Sequence, residues 1–302
     1  MKFVSCLLFM ILLSSCNLME WNQSRLSKNF ERKNIRERVF TNEEHSIRYF
    51  EGGTGETVLL IHGFGGDAQV TWYKTLVDLV GDYHVIAPDL LWFGQSKSSA
   101  EANLESQEDA MFDLLKDRNV TNCAIAGISY GGFVVSSMVY RDPDFFSKVC
   151  IIDSPGVTYD VSLLDILCID QKVSSVDEIF VVKNSRQLKA LYDLAFYKNV
   201  KIPERLMEEA YQFYFSKNHK EQTSLINSLL ADADDYLALG KIDFPETTVI
   251  WGEYDEVFPL SEGEVLAKFM NAKFEKIEKS GHAPNVEQFK EFEKIFRMFL
   301  SN

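Results

Sequence analysis

The segment Ala124-Ile125-Ala126-Gly127-Ile128-Ser129-Tyr130-Gly131-Gly132 sets a hydroxyl between glycines, after an apolar run and before a helix-like one. A strand that turns into a helix through Gly-X-Ser-X-Gly pushes its serine outward, with the hydroxyl at the helix N-terminus. Flanking glycines omit the Cβ atoms that so tight a turn excludes. A serine hydroxyl is a weak nucleophile until a base takes its proton, so the pattern asks for a histidine further along the chain. Among five histidines, His282 in Ser280-Gly281-His282-Ala283-Pro284 directly follows the last strand-like run and is the expected base. His45, His84 and His219 lack that setting.

Such a pair needs a carboxylate to orient the imidazole, placed between the serine and the histidine in chain order. Asp255, in Trp251-Gly252-Glu253-Tyr254-Asp255-Glu256, is the first candidate, with Glu253 and Glu256 read as solvated loop charges. Asp153, at the end of an earlier strand-like run, competes with it. Attack on a carbonyl also needs donors for the oxyanion, usually backbone N–H groups. Tyr130 follows the nucleophile, and Phe64 lies in the glycine-rich turn His62-Gly63-Phe64-Gly65-Gly66; these two are the expected donors. A phosphate cradle is a poor reading of that turn, because no lysine follows it. His62 is expected to brace the turn, and Asp89, in Pro88-Asp89-Leu90, to shape a neighbouring loop. No cofactor and no metal ligand set is expected.

These residues need a frame. Short apolar runs at 57–62, 84–87, 122–126, 149–153, 247–251 and 273–278 alternate with helical stretches at 72–80, 102–117, 130–141, 260–270 and 286–300. That alternation predicts an α/β fold with a mostly parallel central sheet covered by helices on both faces. Upstream, 43–50, a glycine turn and 56–61 read as strand, turn, strand. Residues 154–244 are too long for one crossover and carry amphipathic stretches at 185–197 and 203–215, which predicts a helical cap over the sheet's carboxyl edge. Tyr192, Phe196, Tyr211, Phe213 and Tyr214 are candidates to line its pocket, though packing between cap helices is the better reading for most.

The organisation expected is therefore 1–15 as a signal peptide, 16–40 as a tether, 41–153 as the first part of the core, 154–244 as the cap and 245–302 as the second part. Lys2 followed by an apolar run is a secretory signal, too short to span a bilayer. Its ending, Leu13-Ser14-Ser15-Cys16, resembles the bacterial lipoprotein processing site, which implies a lipidated Cys16 and a membrane-anchored protein of the cell envelope. Behind it, Arg25, Lys28, Arg32, Lys33, Arg36 and Arg38 form a basic stretch. It is read either as lying on anionic head groups or as a solvated tether or a helix packed on the body. The formal net charge of −14 argues against a nucleic-acid partner. Of five cysteines, Cys6 falls in the signal and Cys16 is the lipid site, while Cys123 and Cys150 sit in strand-like runs as small hydrophobes.

Taken together, the turn at 62–65, the elbow at 127–132, the acid loop at 251–255 and the His loop at 281–284 resemble the α/β-hydrolase superfamily across nearly all of 39–301. Some members of that fold place the acid where Asp153 stands. A serine at the elbow disfavours the haloalkane dehalogenases and epoxide hydrolases, which carry Asp there. The resemblance is strongest to capped lipases and esterases, including monoacylglycerol lipase-like enzymes, and implies cleavage of carboxylic esters or acyl lipids through an acyl-enzyme. Hydrolases of carbon–carbon bonds share the serine machinery and the cap. A non-catalytic binding protein on the same fold is the reading from another class, and such proteins usually lose one of the three residues.

Overall fold

The central strands are apolar on both faces because helices cover both. In the computed structural model, which describes residues 18–199 and 201–301, β3 (Thr57–Ile61), β6 (Cys123–Ile128), β7 (Phe146–Ile152) and β8 (Glu246–Gly252) form the middle of the sheet. They run parallel, in the order β3, β6, β7, β8, with β9 (Lys273–Ile277) at one edge. On the other side β4 (His84–Pro88) pairs parallel with β3 and antiparallel with β2 (His45–Gly52). A short β5 (Lys97–Ser98) also pairs with β2. The chain is thus α/β, with a mostly parallel sheet, as its alternating pattern predicts.

Two apolar layers sandwich this sheet. On one face α1 (Leu18–Arg32), α2 (Ala68–Leu79) and the C-terminal α13 (Phe289–Ser301) contribute Phe30, Trp72, Leu76, Phe292 and Phe296 to a buried cluster. On the other, α3 (Leu104–Asp117), α4 (Tyr130–Arg141) and α11 (Leu260–Met270) contribute Met111, Leu114, Val134, Met138 and Leu266. Fully burying one such side chain is worth roughly 1.5–3 kcal/mol, so these layers fix the sheet's register.

Helix starts follow their caps. The predicted helix at 72–80 begins earlier, at Ala68, because Asp67 accepts the Val70 N–H at 2.9 Å. Asn103 does the same for α3 through the Ser106 N–H. The C-terminal stretch predicted as one helix breaks at Gln288, giving α12 (Pro284–Glu287) before α13.

Between β7 and β8 the chain runs through α5 (Ser162–Gln171), α6 (Asp177–Phe180), α7 (Ser185–Ala195), α8 (Glu204–Ala210), a π-helical turn at Tyr211–Phe215, α9 (His219–Ala231) and α10 (Ala233–Ala238). This all-helical insertion has a small core of its own around Leu188, Met207, Tyr211 and Phe215.

The stretch set apart as a tether contains two ordered elements. Helix α1 buries Leu26 and Phe30 against the body, and Asn29 donates to the Tyr73 hydroxyl at 2.7 Å. Residues Arg36–Thr41 form β1, antiparallel to β2 at the sheet's edge. That strand has no apolar alternation to reveal it, since five of its six residues are exposed. The stretch expected to be a signal peptide, and Cys16, lie outside the described residues.

Candidate active site

At the end of β6 the chain enters α4 through Ser129, held at φ 55°, ψ −124°. Backbone strain of this kind persists only where the surroundings enforce it. A Cβ on Gly127 would come within 2.2 Å of the Gly131 carbonyl oxygen, and one on Gly131 within 2.5 Å of those of Ile61 and His62. Both positions therefore require glycine.

His282 arrives on the loop after β9, and Asp255 on the loop after β8. His282 Nε2 is 2.8 Å from Ser129 Oγ, and its Nδ1 is 2.8 Å from Asp255 Oδ2. Asp255 is fixed by its own loop, its Oδ1 accepting the N–H groups of Val257 at 2.8 Å and Phe258 at 3.0 Å. Its side chain is fully buried, and that of His282 is 10% exposed. The ordered hydrogen-bond chain has the carboxylate holding one ring nitrogen so that the other faces the hydroxyl.

Neither acidic neighbour of Asp255 enters this chain. Glu253 pairs with Lys276 at 2.7 Å, and Glu256 is exposed. Asp153 is fully buried and lies beside Asp255, but its Oδ1 accepts the Gly252 N–H at 2.7 Å rather than touching His282.

The turn after β3 faces the elbow. Phe64 and Tyr130 border the same cavity as Ser129, with their rings edge-to-face at 5.0 Å. Tyr130 is the first residue of α4, so its N–H is one that the helix itself cannot satisfy. Behind the turn, His62 Nδ1 lies 2.7 Å from the Gly63 carbonyl oxygen, and Nε2 accepts the Leu90 N–H at 2.9 Å. His62 is thus a neutral brace, and burial pushes its pKa down. Asp89 is the hub of the adjoining loop: it accepts from Arg48 Nε at 2.6 Å, Ala68 N at 3.0 Å and Gln95 N at 2.9 Å.

The cavity at Ser129 is small, about 30 Å³, and apolar. The core supplies Phe133 and Phe258, and the cap supplies Leu164, Val176, Phe180, Ile226, Leu229 and Leu230. None of Tyr192, Phe196, Tyr211, Phe213 and Tyr214 borders it, so of the two readings given to these residues pocket lining is the one set aside. Tyr192 and Phe196 pack edge-to-face at 5.7 Å, and Tyr211 is buried in the cap's own core. A larger polar cavity of about 800 Å³ lies between α1, the 92–97 loop and the cap, and includes none of Ser129, Asp255 or His282.

Sequence reasoning missed Glu287. Its carboxylate accepts the N–H of Gly281 at 2.7 Å and that of Tyr197, from the cap, at 3.0 Å. No local pattern marks it, because its partners come from two distant segments.

A family profile described as alpha/beta hydrolase fold matches residues 56–289. Lipase 1 of Psychrobacter immobilis is 26% identical over 84% of this chain and 80% of its own length. A 2-hydroxymuconate semialdehyde hydrolase of a Pseudomonas species is 24% identical over 83% of this chain and 89% of its own. Among solved structures, a bacterial membrane phospholipase A superposes with a TM-score of 0.77 at 23% identity, covering 99% of this chain and 97% of that one.

Proposed function

The chain belongs to the α/β-hydrolase fold family, and from that premise we propose that it is a serine hydrolase cleaving carboxylic esters through an acyl-enzyme on Ser129. The observation that carries this reading is the hydrogen-bond chain from Asp255 through His282 to Ser129, opening on an apolar cavity. In the proposed reaction His282 takes the Ser129 proton as the oxygen attacks the ester carbonyl. The N–H groups of Phe64 and Tyr130 hold the oxyanion, and Asp255 stabilises the imidazolium. His282 then protonates the leaving alcohol and activates water against the acyl-enzyme.

The second reading, hydrolysis of a carbon–carbon bond, is favoured by the likeness to the muconate semialdehyde hydrolase. A muconate is a carboxylate and asks for a cation or several donors in the pocket. Beyond the His282 that bonds Ser129, the residues bordering this cavity bring no Arg, Lys, Asn, Gln or further His, which favours a neutral acyl group. Turnover of a p-nitrophenyl ester series from acetate to palmitate, beside a vinylogous diketone acid, decides between them. A preference for the diketone defeats the ester reading. Stable labelling by a fluorophosphonate that Ser129→Ala abolishes supports an enzyme, and no labelling of folded protein counts against one.

The proposal includes the site of action, a membrane face reached through lipid on Cys16. Helix α1 carries Trp21, Arg25, Lys28 and Arg32 at i, i+4, i+7 and i+11, all exposed and opposite the buried Leu26 and Phe30. That stripe suits anionic head groups on an otherwise acidic protein. Among the described residues no helix is long and apolar enough to cross a membrane. Cys16→Ser should move the protein from the membrane to the soluble fraction, and a mature N-terminus elsewhere than Cys16 defeats the anchor.

A further inference from the structure

Asp153 follows β7 at φ 44°, a left-handed conformation that Asp and Asn tolerate better than most residues. It is fully buried, and while Oδ1 accepts the Gly252 N–H, Oδ2 has no conventional hydrogen-bond partner. One side-chain atom each from Asp153, Asp255 and His282 lie within 4.8 Å of one another. Ionising both of two carboxyl groups this close and this dry is costly, and one shared proton removes that cost.

The donors decide where that proton resides. Asp255 receives three hydrogen bonds, from Val257 N, Phe258 N and His282 Nδ1, which suit an ionised carboxylate. Asp153 receives one, and ionising it would leave a bare charged oxygen in the core.

We propose that Asp153 is a positioning residue that remains a neutral carboxylic acid through turnover and presents its O–H to Asp255, so that the Asp153–Asp255 pair carries one negative charge, held against His282. Its charged and titratable neighbours agree. Burial first, and then the charges of Asp255 and Glu287, hold the Asp153 carboxyl well above the usual carboxylate range. The imidazolium formed in each half-reaction therefore bonds one anionic carboxylate, Asp255, whose other oxygen Val257 N and Phe258 N hold in place.

This rests on Asp255 being the orienting acid of the proposed hydrolase. The test compares the wild type, Asp153→Asn and Asp153→Leu by kcat, KM and the pH dependence of kcat/KM on p-nitrophenyl butyrate. Asn keeps a neutral donor and an acceptor for Gly252 N–H, and tolerates the left-handed backbone. Asp153→Asn should cost less than about tenfold in kcat and move the acid limb by less than about 0.3 pH unit, whereas Asp153→Leu should cost roughly a hundredfold in kcat at similar KM. An acid limb displaced to lower pH by about one unit in Asp153→Asn would mean that an anion had been removed from beside His282, overturning the proposal. A loss as large as that of Asp255→Asn, or a Leu variant equal to wild type, overturns it too.

A measurement independent of turnover guards against a Leu variant that does not fold. The infrared difference between wild type and Asp153→Asn at neutral pH should contain the carbonyl band of a neutral carboxylic acid, and absence of that band refutes the proposal. Glu293, whose pKa burial pushes up to about 9, contributes equally to both proteins and cancels. Should wild type cleave no ester, the hydrolase reading fails while the infrared result still decides the state of Asp153.

Discussion

Glu287 Oε1 accepts the backbone N–H of Tyr197 at 3.0 Å, so a carboxylate from the His loop's side of the core holds the segment leaving cap helix α7. The same carboxylate holds Gly281 N, and His282 N donates to Ala195 O at 2.7 Å. Cap and His loop are thus tied by two hydrogen bonds, and the third, from Gly281 N to Glu287, braces the His loop itself. Glu287→Ala should lower kcat for a short ester by roughly tenfold to a hundredfold, with Glu287→Gln milder because it keeps an acceptor. Stopped-flow acylation by p-nitrophenyl acetate checks this, and an unchanged acylation rate in Glu287→Ala would show that the tie does not position His282.

The serine and the histidine are expected to act as one unit. Ser129→Ala and His282→Ala should each reduce ester turnover by roughly 10⁴ or more, and the double change should cost little beyond either alone. Asp255→Asn should be somewhat milder, and Asp153→Asn milder still. Steady-state kinetics on one soluble ester reads all five variants, and a greater loss in Asp153→Asn than in Asp255→Asn reverses the assignment of the acid.

Ser129, Asp255 and His282 could be picked out from the sequence because each sits in a short local pattern whose geometry is set by its own glycines and flanking strand. The parallel sheet was legible for a similar reason, since runs such as Thr57–Ile61 are buried on both faces and read as continuous apolar stretches. Strand β1 was not, because its residues face solvent and carry charge. Glu287 and the cap lining, Leu229 and Phe180 among it, were illegible for another reason: their roles arise only when segments far apart in the chain meet. For Tyr192, Phe196 and Tyr211 the packing reading holds, since a helical stripe of Tyr and Phe serves packing inside the cap as well as it serves a ligand, while Phe213 and Tyr214 border the larger polar cavity instead.

The apolar cavity at the nucleophile is small, about 30 Å³, and is walled in large part by cap side chains, so a long acyl chain must displace some of them. Leu229, on α9 of the cap, is buried at that cavity. Leu229→Ala should raise the ratio of kcat/KM for p-nitrophenyl octanoate over acetate by about tenfold, while costing stability typical of a core truncation, about 2–5 kcal/mol. A ratio equal to that of wild type would mean that the chain leaves the site by another route.

Glu293, on α13, is buried beside Asp78 of α2, with Arg297 Nε 3.4 Å from its Oε1. Burial first, and then Asp78, push its pKa from 4.5 up to about 9, while the hydrogen bond from Glu293 holds the Asp78 carboxyl low. Between about pH 4.5 and about 9 the folded protein therefore binds a proton that the unfolded chain has released. Stability contributed by this group is complete below the unfolded value and declines as pH rises through that window. Glu293→Gln keeps a neutral donor toward Asp78 but has nothing to ionise. Its Tm should match wild type near the acid end of the window and exceed it by a few degrees at the alkaline end. A Tm difference that stays constant across the same pH range, measured by calorimetry in matched buffers, would mean that Glu293 is ionised in the folded protein.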